Sequence, residues 1–135
     1  MRVTMVIPDL PVALDAALEG LVRVNVAMLL AAIRSGRPVP PLYDLPIRYK
    51  HEPPPREWWQ TVADNVVEKF GDCEDFAGHL AAQKRVAGIL AGIPFHARAV
   101  CIRTGPKSYH AVVRMPDGSI QDPSRVLGMK SRARP

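Results

Sequence analysis

A chain of 135 residues is the usual size of one domain, and at 47% hydrophobic and 23% charged it carries enough apolar mass for a single core. The formal net charge is +5, but the basic residues are scattered, so no nucleic-acid partner is expected. Two cysteines without a CxxC pair exclude a disulfide framework and argue against structural zinc; with no signal-peptide pattern and no run read as a transmembrane span, the expectation is a cytoplasmic, reducing-compartment protein with no membrane partner.

In chain order, Val3 to Ile7 is a candidate strand. Pro11 then suits the first turn of a helix over about 11–35, stopped by Ser35-Gly36-Arg37-Pro38. Asp15, Glu19 and Arg23 recur every four residues and predict a wet stripe, with Leu14, Leu18, Leu21, Met28, Leu29 and Ile33 packed inward. Residues 37–57 hold most of the prolines and read as a long, extended loop wrapped over one domain. Tyr43, Tyr49 and the pair Trp58-Trp59 lie along or beside it, as packing aromatics or as platforms for a ligand.

A core over about 58–129 follows. Thr61, with Asp64 three residues on, caps a short helix to about Phe70, ended by Gly71. Asp72 opens a central helix that runs to about Ala91, where Gly92-Ile93-Pro94 breaks it. Its small residues nearly all round predict a buried helix. The period then changes to two: Phe95 to Ile102, Tyr109 to Met115 and Ser119 to Asp122 read as an antiparallel sheet, with a loose tail over 130–135. Helices before strands make this an α+β domain.

The chemistry gathers at Gly71-Asp72-Cys73-Glu74-Asp75-Phe76-Ala77. A cysteine at the first position of a helix has backbone N–H groups and the helix dipole beside it, which favour thiolate over thiol. His110 and Asp122 supply the other parts of a thiol triad. Met115-Pro116-Asp117-Gly118-Ser119 fits a three-residue hairpin loop, a type I turn with Pro second and a left-handed Gly. Met115 then pairs with Ser119, Asp122 lies opposite Val112, and His110 and Asp122 share one face as diagonal neighbours. A two-residue loop would put them on opposite faces.

Three carboxylates cut the other way. Asp72, Glu74 and Asp75 beside the thiol would raise its pKa unless they cap the helix, pair with Arg or Lys, or hold a hard cation such as calcium. No metal site and no cofactor are assigned on this pattern alone. The plain alternatives are an inert, packed Cys73, a buried Cys101, and structural or exposed roles for His51, His79 and His96; a zinc set of Cys73, His79, His96 and Cys101 has only composition behind it.

From about Trp58 to Met129 the chain resembles the transglutaminase-like cysteine peptidase superfamily, on Gly71 to Ala77, Tyr109-His110-Ala111-Val112-Val113 and Asp122-Pro123-Ser124. The resemblance implies a papain-like fold in which the Cys-bearing helix packs on a sheet carrying His and Asp. It implies Cys73 as nucleophile, His110 as base then acid, Asp122 as the group orienting the imidazole, and a protein or peptide substrate. It also looks like small versions found among phage structural genes, on Trp58-Trp59-Gln60-Thr61 and Asp122 to Arg125 with Leu127-Gly128-Met129; this implies phage structural proteins as partners and the host cytoplasm or the virion as location. It is similar, too, to calcium-dependent periplasmic proteases of the superfamily, which Asp72, Glu74 and Asp75 match in residue type. The oxyanion of an acyl transfer would lie near the Cys73 N–H, with Gln60, Trp59 or Trp58 as second donor. Hydrolysis is the default; amine transfer, or a structural protein that leaves the triad unused, are the alternatives.

Overall fold

The structure is a computed structural model that describes residues 11–51, 58–93, 96–106 and 108–130. The expected strand at Val3 to Ile7, the Pro53-Pro54-Pro55 run and the end of the tail lie outside these residues.

Helix α1 spans Pro11–Arg34 and ends as expected, with Gly36 at φ +77° and the Arg37 N–H on the Ala32 carbonyl at 3.0 Å. Its packing differs from the expected stripe. Leu18, Val22, Asn25 and Leu29 are buried, whereas Ile33 is exposed. Asp15 and Glu19 are half-buried rather than wet: Asp15 accepts the Cys101 N–H at 2.8 Å, and Glu19 is paired with Arg85. Those partners lie 86 and 66 positions away, so a charged stripe with a period of four turned out to be a polar seam inside the domain. The helix is also long and apolar enough, by length and composition, to cross a membrane, with mean hydropathy 1.7 over its best window, although no transmembrane span is expected from the charged residues that interrupt it. In this fold it packs against the central helix and the sheet.

The described part of the proline-rich segment, residues 37–51, is more ordered than an extended loop. It makes a short 3₁₀ turn at Leu42–Asp44 and a two-residue strand β1 (Arg48–Tyr49), parallel to β2 (Phe70–Gly71). Between them helix α2 (Val62–Glu68) carries the expected capping box, Asp64 Oδ2 accepting the Thr61 N–H at 3.0 Å. Lys69, at φ +63°, ends α2 in place of Gly71. Gly71 serves a different need: a Cβ there would sit 3.0 Å from Phe76 Cε1 and 3.1 Å from Asp75 Oδ2.

Helix α3 (Cys73–Ala91) is the centre of the domain. Phe76 to Ala82 are buried without a break, as its small residues led one to expect. Gly78 lets α1 approach so closely that a Cβ would meet Leu21 Cδ2 at 2.6 Å. Gly92, at φ +69°, ends α3, and the Ile93 N–H returns to the Gly88 carbonyl at 2.9 Å. Strands β3 (Arg98–Gly105), β4 (Ser108–Arg114) and β5 (Ile120–Gln121) form an antiparallel sheet in that order, against which α3 packs. A short helix α4 (Pro123–Val126) follows; it was not foreseen, although Pro123 in its first turn is a recognised start. The architecture is α+β, a central helix on a small antiparallel sheet.

Candidate active site

The hairpin register matches the expectation. Met115 and Ser119 close the loop through N–H to carbonyl at 2.8 Å, Gly118 stands at φ +86°, and Val113 and Arg114 pair with Gln121 and Ile120. Asp117 Oδ1 accepts the Ser119 N–H at 2.9 Å and stiffens the turn. Continuing the ladder puts Asp122 across from Val112, diagonal to His110 on the same face. The side chains meet: His110 Nε2 lies 2.8 Å from Asp122 Oδ2, with the two only 13% and 19% exposed. With Nε2–H donating to the carboxylate, Nδ1 carries the imidazole lone pair. Arg125, one turn on, adds its Nε to the same oxygen at 3.3 Å.

Cys73 sits at the first position of α3, behind Asp72 as N-cap. Helix α3 packs on β4, the strand that carries His110, and the Ala111 backbone next to that histidine acts to favour the thiolate; among the described residues no hydrogen bond joins the Cys73 sulfur to the His110 imidazole. A thiol has one proton, and here it goes to Glu74 Oε2 at 3.3 Å. The activation expected from the helix N-terminus is overridden. Burial, then the Glu74 charge, push the Cys73 thiol well above the ordinary range, and the Ala111 N–H offsets only part of that.

The three acidic neighbours have separate tasks. Asp75 Oδ2 accepts the Asp72 N–H at 3.0 Å, and Oδ1 accepts the Gln60 N–H at 2.6 Å, which ties the chain before α2 to the start of α3. Burial and the nearby Asp72 raise the Asp75 carboxyl. Asp72 is buried, with Oδ1 unpaired. Glu74 faces the thiol. Among the described residues no three His, Cys, Asp or Glu side chains converge as a metal-holding group.

The proposed second oxyanion donors fare unequally. Gln60 has both amide hydrogens engaged, on Asn65 Oδ1 at 3.0 Å and on the Phe70 carbonyl at 2.8 Å, so it is a bracket for the β2 turn and not a spare donor. Trp59 is half-buried against the core, and Trp58 is 42% exposed. Of the histidines set aside, His79 is fully buried with Nδ1 3.1 Å from Asn65 Nδ2, and burial lowers its pKa to about 4; His51 and His96 are exposed. Cys101 is half-buried in β3.

Tyr49, read from the chain as a packing aromatic or a ligand platform, lies closer to Cys73 in strand pairing than that reading placed it. Tyr49 lay in what read as loop, yet β1 sets it opposite Gly71, two positions before Cys73. Its N–H donates to the Leu127 carbonyl at 2.9 Å, just past α4, and its ring tilts against Phe76 with centroids 6.5 Å apart. Burial, then the charges of Cys73, Asp72, Glu74 and Asp122, push its hydroxyl up to about 12. Only the Tyr-Lys-His stretch after a proline hinted at a strand there, and its partner is a two-residue strand no periodicity reveals.

No protein-family model matches this chain, and neither a curated protein nor a solved structure matches it.

Proposed function

We propose that this domain is a cysteine-nucleophile hydrolase of transglutaminase-like, papain-like kind, acting on amide bonds of proteins or peptides. The observation that carries the reading is the 2.8 Å contact of His110 with Asp122, with His110 on the strand against which the Cys73-bearing helix packs. Asp122 holds the imidazole tautomer, leaving Nδ1 as base. His110 takes the Cys73 proton as sulfur attacks the carbonyl carbon. The tetrahedral oxyanion collapses to a thioester, and the leaving amine takes the proton from His110. Water, deprotonated by His110, then cleaves the thioester and returns the thiol. The Cys73 N–H, unpaired within the first turn of α3, is aimed as first oxyanion donor. An amine in place of water would give crosslinking by the same steps.

The test uses p-nitrophenyl acetate. Wild-type chain should release nitrophenolate and carry an acetyl group on the Cys73 peptide, and Cys73→Ala should do neither. Release that is unchanged in Cys73→Ala sinks the reading.

A second reading has its own observation. Cys73 is only 9% exposed with its thiol donating to Glu74, while Tyr43 and Trp58 are each 42% exposed. A closed thiol, together with aromatics left on the surface, suits a structural or assembly protein, such as a phage particle component, that keeps the fold without using the triad. An absent acetyl adduct on a folded chain would favour it.

A further inference from the structure

An acyl-transfer site needs two donors where the carbonyl oxygen becomes an anion. The Cys73 N–H supplies one, and Gln60 is committed elsewhere. We propose that the Tyr49 hydroxyl is the second oxyanion donor, an assignment that rests on the hydrolase reading above.

Three contacts fix where Tyr49 stands. Backbone pairing with Gly71 ties it to the turn that leads into Cys73. The Leu127 carbonyl ties it to the segment following Asp122 and α4. Packing on Phe76 ties its ring to the face of α3 one turn beyond Cys73. The residue thus bridges the nucleophile-bearing helix and the segment that carries the acid of the triad. Its side chain is half-buried, and the hydroxyl makes no hydrogen bond to another described residue, although it lies within the field of Cys73, Asp72, Glu74 and Asp122. A phenol in that negative field stays protonated, which is what a donor must do throughout a catalytic cycle. Its lone duty in the fold is served by the ring, so the O–H is available for a developing negative charge. Rigid attachment at backbone and ring spares the reorganisation that weakens a flexible donor.

Two reactions of one thiol separate the roles. Acylation by p-nitrophenyl acetate passes through a tetrahedral oxyanion; alkylation by iodoacetamide is displacement at a saturated carbon and forms none. Tyr49→Phe keeps the ring on Phe76. In the full chain it should slow Cys73-dependent acylation roughly 10²-fold or more, the usual cost of one lost oxyanion donor. Iodoacetamide labelling of Cys73 should stay within about twofold, since no oxyanion is at stake, and the melting curve should be unchanged. Cys73-dependent acylation that survives Tyr49→Phe overturns the assignment alone. Equal losses in both reactions overturn it too, by showing that the hydroxyl positions the thiol. Nitrophenolate release that survives Cys73→Ala overturns the hydrolase reading, and Tyr49 falls with it.

Discussion

Replacing Glu74 by Gln should make Cys73 more reactive, the opposite of what removing a catalytic group would do. The Cys73 thiol donates its proton in a hydrogen bond to Glu74 Oε2, sulfur to oxygen 3.3 Å, so ionising the thiol would set two negative charges at about that separation. At 3.3 Å the repulsion is about 1.3 kcal/mol with the dielectric constant of water and about 5 kcal/mol with the value near 20 that suits partly buried pairs. At 1.36 kcal/mol per pH unit this is a shift of roughly 1 to 4 units. Gln keeps the shape and can still meet the sulfur, but carries no charge. The pH at which iodoacetamide labelling of Cys73 reaches half its plateau should therefore fall by at least about one unit, and labelling at neutral pH should quicken about tenfold or more. Peptide mapping separates Cys73 from Cys101, which lies in β3 and serves as an internal control. An unchanged profile would show that burial alone holds the thiol up. A profile moved to higher pH would refute the claim that Glu74 opposes ionisation.

Asp122→Ala should leave the melting temperature within a few degrees, since Asp122 makes no side-chain cap to α4. It should lower ester acylation by about 10²–10⁴-fold through loss of the His110 tautomer and orientation; acylation equal to wild type would remove Asp122 from the triad. Gly78→Ala should destabilise the domain by about 1–3 kcal/mol, because its methyl would meet Leu21 Cδ2; urea unfolding at an unchanged midpoint would refute the close approach of α1 and α3. The Arg85 and Arg23 guanidiniums hold the Glu19 carboxyl down to about 2, from 4.5. A depressed carboxylate contributes stability that is present above pH 4.5 and lost as pH falls through about 2. Arg85→Met should therefore flatten the loss of stability in that acid window, measured by urea midpoints, and an unaltered slope would refute the pair's contribution.

The parts of the site that could be read from the chain are those whose causes are local. Pro116 and Gly118 demand one turn type, the turn sets the register, and period two then decides that His110 and Asp122 share a face; none of this waits on the rest of the domain. The same holds for Asp72 before Cys73, where cap chemistry acts over three residues. What could not be read depends on partners far off in sequence. Asp15 and Glu19 carry the pattern of a solvated stripe, and only Cys101 and Arg85, brought in from β3 and α3, turn it into an interior seam. Tyr49 belongs to a two-residue strand that exists because Lys69 and Gly71 offer carbonyls to Arg48 and Lys50, at 3.2 and 2.8 Å. The thiol's state is the clearest such case. A helix N-terminus favours thiolate and an adjacent carboxylate disfavours it, and both are visible in the chain. Their balance is decided by burial, which comes from sheet and helices closing over residue 73. In this fold burial and the Glu74 carboxylate together hold the Cys73 thiol protonated, and the Glu74→Gln labelling profile reads how much of that the carboxylate contributes.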